Sequence, residues 1–432
     1  MKIRIAGMAI LLWIMPLSAQ SYLDVIRPFY GMRGTSGAEN GVYPVSRAQS
    51  NAVLGNPALL SYTERGFYSM DISLDLVGGT SIYAAQKSDP EQFQRVRINS
   101  VSYIYPIRVY RGAWVWGFNL QPIHSFNGIQ SFSGVDTDVD TGLDFQYSHL
   151  ESSSGNLYAL SMATSFLWKR NTSIGIGASL LTGKNEYQDV YRDFDHLDVF
   201  YYDNYLDSTR IAPTYLGGSV RMGLTSDLSD NLRFGASIGF PSKISVAEAS
   251  SQYETQSYDN GTDTVFYEDN IARLDYSLWG PWELGLGIGF IVKPLSVSVN
   301  YNFISYSTSS MVSSLLDTAG NELDPIVAAD ISKYIQDVHE YSAALNWMLY
   351  PLELSLGASV RNSPIVENSD KIFRMNMGIG YQLHHNVGIT FAIRTLSWQS
   401  KLDHGPFSTD LPLVEVENTF SQMQLGVKYL LD

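Results

Sequence analysis

A closed antiparallel β-barrel set in a membrane is the fold class this sequence predicts, on three observations. From Phe67 onward, segments of about ten to fifteen residues alternate apolar and polar side chains, the two-residue period of a strand with one greasy and one polar face. In one segment Leu352, Leu354, Leu356, Ala358 and Val360 alternate with Glu353, Ser355, Gly357 and Ser359. In the next, Phe373, Met375, Met377, Ile379, Tyr381 and Leu383 oppose Arg374, Asn376, Gly378 and Gly380. Secondly, the connections alternate short and long, as the turns and loops at the two ends of a transmembrane barrel do. Thirdly, no apolar run reaches the roughly 20 residues of a spanning helix, so only a closed barrel can pair every backbone group in hydrocarbon. A soluble sandwich is the competing class, but its strands average about 5 to 6 residues and would not leave so many rows of Leu, Phe and Met unopposed.

The elements follow in chain order. Lys2 and Arg4 precede an apolar run from Ala6 to Leu17, and Leu17 and Ala19 stand at the minus-three and minus-one places of a cleavage site. Residues 1–19 therefore read as an export signal. Residues 20–65 have no sustained period and are rich in Gly, Ser, Asn and Pro, which predicts a compact irregular segment. Residues 66–432 carry about 14 strands. The first seven run from Gly66 to Thr80, Arg97 to Val109, Ala113 to Ile123, Asn156 to Trp168, Ser173 to Gly183, Thr209 to Thr225 and Leu232 to Val246. The others run from Asn270 to Val292, Leu295 to Tyr306, His339 to Leu349, Leu352 to Arg361, Ile372 to Leu383, Val387 to Trp398 and Glu415 to Leu431. Trp168, Trp347 and Trp398 fall near strand ends, where interfacial aromatic belts form. At the C-terminus Gln424, Gly426, Tyr429 and Leu431 keep the spacing of a barrel-assembly signal, with Leu431-Asp432 where an aromatic is usual.

Composition excludes several function classes. A net charge of -15 argues against nucleic acid, whose phosphates need a basic surface. The chain has no cysteine, which removes thiolate nucleophiles and Cys-based metal sites. The seven histidines show no metal spacing and no Ser/His/Asp set emerges, so neither a catalytic residue nor a cofactor is indicated. Acid concentrates between Lys184 and Ser208, read as a loop, in Glu186, Asp189, Asp193, Asp195, Asp198, Asp203 and Asp207. Asp136, Asp138, Asp140 and Asp144 alternate like calcium-loop ligands, but Thr141 and Tyr147 stand where that motif needs Gly and Glu, and a solvated acidic loop is the plainer reading.

The segment from Asn51 to Ser61 contains Asn56-Pro57-Ala58, where proline fixes its own φ and keeps Asn56 out of the helical region, so a tight turn is expected. This box, with an export signal before it and about 14 strands after it, resembles the FadL/TodX family of outer-membrane hydrophobic-compound transporters. The box departs from the family at Leu59, where glycine is usual, and at Gln49, Ser50 and Asn51, where an acidic pair is often found. The resemblance implies that residues 20–65 form a hatch, or plug, inside the barrel, that Asn56-Pro57-Ala58 is its turn near the wall, and that a hydrophobic ligand leaves sideways through the wall.

Two constellations stand out as ligand-binding candidates. Register drawn from the short turns puts Arg374 beside Arg394 and Arg361 beside Arg374, all facing inward, with Glu340 opposite Arg361. Clustered like charges imply an anion between them, either a ligand carboxylate or a hatch acid such as Asp24 or Glu39; a structural salt-bridge ladder in a polar lumen is the alternative. In the long connection from Ser307 to Val338, a helical phase puts Val327, Ile331, Tyr334, Ile335 and Val338 on one face, after Met311, Val312, Leu315 and Leu316. Such a face is either an external capture groove or a lid folded onto the barrel's contents.

The expected function is passive uptake of long-chain fatty acids or other hydrophobic molecules across the bacterial outer membrane. The expected partners are that ligand, outer-membrane lipid and lipopolysaccharide, and the barrel assembly machinery. A barrel that binds secreted proteins, like the PorV-type relatives of the family, and an unselective porin are the alternatives.

Overall fold

The computed structural model describes residues 50–83, 86–87, 91–138, 143–195, 202–267, 272–314, 322–366, 371–402 and 414–431. The expected export signal, Asp24, Glu39, Leu315, Leu316, Asp140 and Asp198 lie outside these residues. The strands form a closed antiparallel barrel of 14 strands. They are β1 (Phe67–Tyr83), β2 (Glu91–Ile107), β3a (Trp114–Ser125) continued by β3b (Gly128–Asp138), β4 (Leu143–Lys169), β5 (Thr172–Phe194) and β6 (Tyr202–Asp227). The next are β7a (Leu232–Gly239) and β7b (Lys243–Tyr258), then β8a (Ala272–Trp279) and β8b (Glu283–Val292), then β9 (Leu295–Ile304). The last five are β10 (Val338–Leu349), β11 (Leu352–Asn362), β12 (Lys371–His384), β13 (Val387–Leu402) and β14 (Val414–Leu430). Closure is complete, because β1 pairs β14 from Phe67↔Leu430 to Ile82↔Glu415.

The alternation sorts as a lipid-facing barrel requires. Leu356, Met377, Ile288, Val299 and Leu425 are all exposed, while Ser355, Ser298, Asn300 and Gln424 on the other rows are buried. An aromatic girdle bounds the apolar band on each side. The lower one contains Trp168, Trp347 and Tyr350 beside short turns. In the upper one the Trp282 and Phe303 rings lie 5.1 Å apart and the Tyr301 hydroxyl is 2.8 Å from His339 Nδ1. At about 3.4 Å per residue and a tilt near 40°, His339 and Trp347 stand roughly 20 Å apart along the normal, the scale of a barrel's hydrocarbon band. Trp398 departs from its expected place in a belt: it packs on the inward cluster of Val77, Ile372, Leu396 and Phe420.

Several loops read from the sequence are strand. β5 and β6 continue to Phe194 and back from Tyr202, so Glu186, Asp189, Asp193, Asp203 and Asp207 sit on paired extensions above the membrane. Asp136, Asp138 and Asp144 lie in the β3b–β4 hairpin, whose register sets Thr137 against Asp144. Polar alternation hid these extensions, because a strand with water on its outer face lacks the apolar row by which the others were recognised.

Residues 50–62 form two short 3-10 helices, Ser50–Val53 and Pro57–Tyr62, inside the lower lumen. Val53, Leu59 and Leu60 pack on the inward residues Ile104, Val115 and Ala163. Asn56 caps the second helix, its Oδ1 accepting from Ala58 N at 3.1 Å, and its Nδ2 donates to Leu224 O of the wall at 3.3 Å. Ser165 Oγ of β4 donates to Ala58 O at 3.0 Å. The wall has glycine where the turn touches it. A Cβ on Gly175 would stand 2.7 Å from Pro57 O, and one on Gly223 would enter the Asn56 side chain and lie 3.0 Å from Pro57 Cδ. Gly223→Val is therefore expected to cost about 1–3 kcal/mol by overpacking and to raise single-channel conductance as the turn is unseated. Gly128→Val, which faces open space, is the control and leaves both unchanged; equal effects of the two variants would count against a tight seat.

Candidate functional site

The lumen has two unlike sides. On β1–β3 and β12–β14 the inner face is polar below the small cluster of Val77, Ile372, Leu396 and Phe420: Arg97 Nε is 2.7 Å from Asp75 Oδ2, Gln422 Nε2 donates to Asp75 Oδ1 at 2.7 Å, and Ser100 Oγ donates to Asp71 Oδ2 at 2.5 Å. On β4–β10 it is apolar at the height of the upper girdle, with Leu157, Leu181, Tyr215, Val246, Leu278 and Ile304 in one buried cluster. Barrel interiors are routinely polar, so this half is the feature that calls for an explanation.

Helix α1 (Leu323–Tyr334) lies against it. Its Leu323, Val327 and Ile331, with Ile335 and Val338 just beyond, belong to the same cluster. Of the two arrangements open to the loop, the inward one is seen. Four of the five side chains expected to make a capture groove are buried on the barrel's own lining, and Tyr334 is half-buried, its hydroxyl 2.5 Å from Lys333 Nζ. The helix is tied at both ends. Ser313 N and Oγ donate to Asp324 Oδ1 at 3.0 and 2.6 Å, and Ser307 Oγ donates to Asp337 Oδ1 at 2.7 Å.

The arginines are on the inner face, but in a different register from the one expected. Arg394 faces Asn376, and Arg374 faces Leu396 on one side and Ser359 on the other. The turn closing at His384↔Val387 and the bulge between Gln382 and His384 together set this register, which turn length alone did not reveal. Arg374 and Arg394 are therefore diagonal neighbours rather than an opposed pair. Glu340 stands opposite Arg361 as expected, yet it is ion-paired with Arg374, whose Nε also donates to Ser359 Oγ at 3.0 Å. The protein itself thus supplies an anion for this cluster.

Sequence reasoning missed two features. The first is a gap in the wall. β2 pairs β3a only from Val101↔Leu120 to Ile107↔Trp114; above that, β2 pairs β1 alone, and β3a and β3b pair β4 alone. Side chains bridge the gap, Arg95 Nη1 donating to Asn127 Oδ1 at 3.1 Å and Arg97 Nη1 to Asn156 Oδ1 at 2.6 Å. Pro122 was the available signal, since a proline inside a central strand marks an edge or a bulge, and the β3a–β4 register does shift between Pro122 and His124.

The second is an acidic mouth above the apolar lining. On the inner face Glu151 opposes Asp189, and Asp207 opposes Glu254. Tyr276 OH donates to Glu248 Oε2 at 2.9 Å, Tyr205 OH to Glu254 Oε1 at 3.0 Å, and Gln252 Nε2 to Asp207 Oδ1 at 3.2 Å. His149 is ion-paired with Asp189. Burial raises the carboxyls of Asp207 and Glu254 above the ordinary range; the charge of Asp189 adds to the first and that of Asp207 to the second. Among the described residues, no group of acids or histidines here is arranged to hold a metal ion.

No family model matches the chain, and no curated protein matches it in sequence. Solved structures do match. The *Pseudomonas putida* toluene transporter TodX is 12% identical over 93% of this chain and 99% of its own, with a TM-score of 0.59. A *Pseudomonas aeruginosa* FadL homologue is 12% identical over 93% and 97%, with a TM-score of 0.60. The *Ralstonia pickettii* toluene transporter TbuX is 14% identical over 93% and 99%, with a TM-score of 0.58. In its fold, the chain is therefore a β-barrel of the FadL/TodX type.

Proposed function

We propose that the protein passively admits hydrophobic molecules, with residues 20–65 as a hatch, and that uncharged compounds are favoured over long-chain fatty acids. One observation carries the reading: an apolar cluster inside the barrel, on which helix α1 is seated, in a barrel whose backbone ladder is interrupted between β2 and β3. An apolar solute gains free energy on reaching such a lining, at about 25 cal/mol per Å² removed from water. Side-chain hydrogen bonds, rather than a backbone ladder, join the wall there, so this is the place where a sideways exit would break the fewest backbone hydrogen bonds. Two proteins similar in fold, a toluene transporter and a monoaromatic hydrocarbon channel, agree with a small hydrophobic cargo. The mouth supplies the selectivity, because a carboxylate entering past Glu151, Asp189, Asp207 and Glu254 meets like charge.

The purified barrel in liposomes is expected to speed entry of toluene more than that of oleate. Arg95→Cys/Asn127→Cys joined by a short bis-maleimide should cut toluene entry several-fold, an experiment eased by a chain without cysteine. No protein-dependent entry of either compound would overturn the transport reading; faster oleate would overturn the preference; full entry after cross-linking would overturn the exit.

A further inference from the structure

We propose that the outer face of β5–β8a, just above the upper girdle, binds the phosphorylated sugar headgroup of an outer-leaflet glycolipid. Height comes from the register. Leu180, Gly218, Lys243 and Trp279 form one row across the four strands, and Trp279 belongs to the exposed aromatic boundary. The next outward row is Thr182, Leu216, Ser245 and Ser277, and the one above it is Lys184, Thr214, Ala247 and Asp275. Each step lifts a row about 5 Å at barrel tilt, so these two rows stand at roughly 5 and 10 Å above the girdle, within the headgroup layer.

Shape and charge agree with that occupant. These rows floor a groove of about 1100 Å³ that extends from Arg95 to Ser313 and Ser314. Its centre is made of small side chains, with Lys184 and Asp275 at the flanks. Adjacent strands approach closely beneath it, a Cβ on Gly183 or Gly217 meeting the neighbouring strand's Cα at 2.8 or 2.9 Å. On these strands the outward positions from the girdle row upward carry Lys184, Arg192, Arg210, Lys243 and Arg273 against Glu186 and Asp275, with Arg210 and Glu186 ion-paired. The inward positions above the girdle carry Asp189, Asp193, Asp207, Glu248 and Glu254 and, among the described residues, no lysine or arginine. In a chain of net charge -15, this segregation of cations to one outer patch matches phosphate. Leu216 and Leu180 continue the groove into the lipid-facing rows, so the matching ligand has acyl chains below its phosphates. A free anion would use only the upper part.

The test uses the full barrel in mild detergent and native mass spectrometry with added lipid A. The expected result is one retained lipid A per barrel, lost at least about tenfold in Lys184→Glu/Lys243→Glu/Arg273→Glu, where cations that attract an anionic headgroup are reversed. Thr214→Trp, which fills the groove without changing charge, should lose it as well, with the thermal unfolding midpoint of both variants near that of the parent. Equal retention by the parent and both variants would overturn the proposal. So would equal binding of phosphatidylethanolamine, meaning a general belt lipid, or displacement of lipid A by millimolar inorganic phosphate, meaning a free-anion site.

Discussion

Asp75→Ala is expected to destabilise the folded barrel by about 3–5 kcal/mol, the cost of leaving a buried charge without its partner. Asp75 and Arg97 side chains are 0% and 5% exposed and meet at 2.7 Å. Removing the carboxylate leaves Arg97 with Asn156 Oδ1 as a neutral acceptor and strands the Gln422 amide that donated to Asp75. Asp75→Leu/Arg97→Leu removes both charges together and should recover much of the loss, since a buried pair replaced by apolar side chains is often close to neutral. Urea-induced unfolding in phospholipid vesicles, followed by tryptophan fluorescence, measures all of these. A single variant that costs less than about 1 kcal/mol would mean that water reaches the pair and screens it.

Leu356→Arg should cost about 2–4 kcal/mol, and Leu352→Arg on the same strand only about 0–1 kcal/mol, because the penalty for a cation on the lipid face falls from the midplane to the interface. Leu356 is 48% exposed and pairs with Met377, at the centre of the apolar rows of β11 and β12, whereas Leu352 begins its strand at a short turn. Ser355, the neighbour that alternation alone suggests as a control, is 2% exposed inside the barrel and has no room for arginine. Equal losses at Leu352 and Leu356 would mean that the hydrocarbon does not lie where the girdles place it.

The candidate site was legible where one residue's face decides the matter. Arg361, Arg374, Arg394 and Glu340 share the inner face because parity along a strand is local. Which of them meet was not legible, since the β12–β13 register sets Arg394 against Asn376 rather than Arg374, and Glu340 reaches across β11 to Arg374. The helical phase of Val327, Ile331 and Ile335 was readable, but its partner was not, because Leu157, Val246 and Ile304 reach it from strands far apart in the chain. The acidic mouth was visible as charge and mistaken for loop, because β5 there is polar on both faces, with Asp189, Tyr191 and Asp193 inward and Gln188 and Arg192 outward.

By itself, then, the sequence determined a lipid-facing barrel and its number of strands, because a two-residue period of apolar side chains is a local property that only hydrocarbon on one face can satisfy. The tertiary structure alone decided where the backbone ladder of that wall is interrupted, where the apolar cluster of the lumen sits, and what the helix and the arginines touch. Those outcomes depend on register between strands, and register accumulates from bulges and prolines such as Pro122 whose effect appears only when the neighbouring strand is in place.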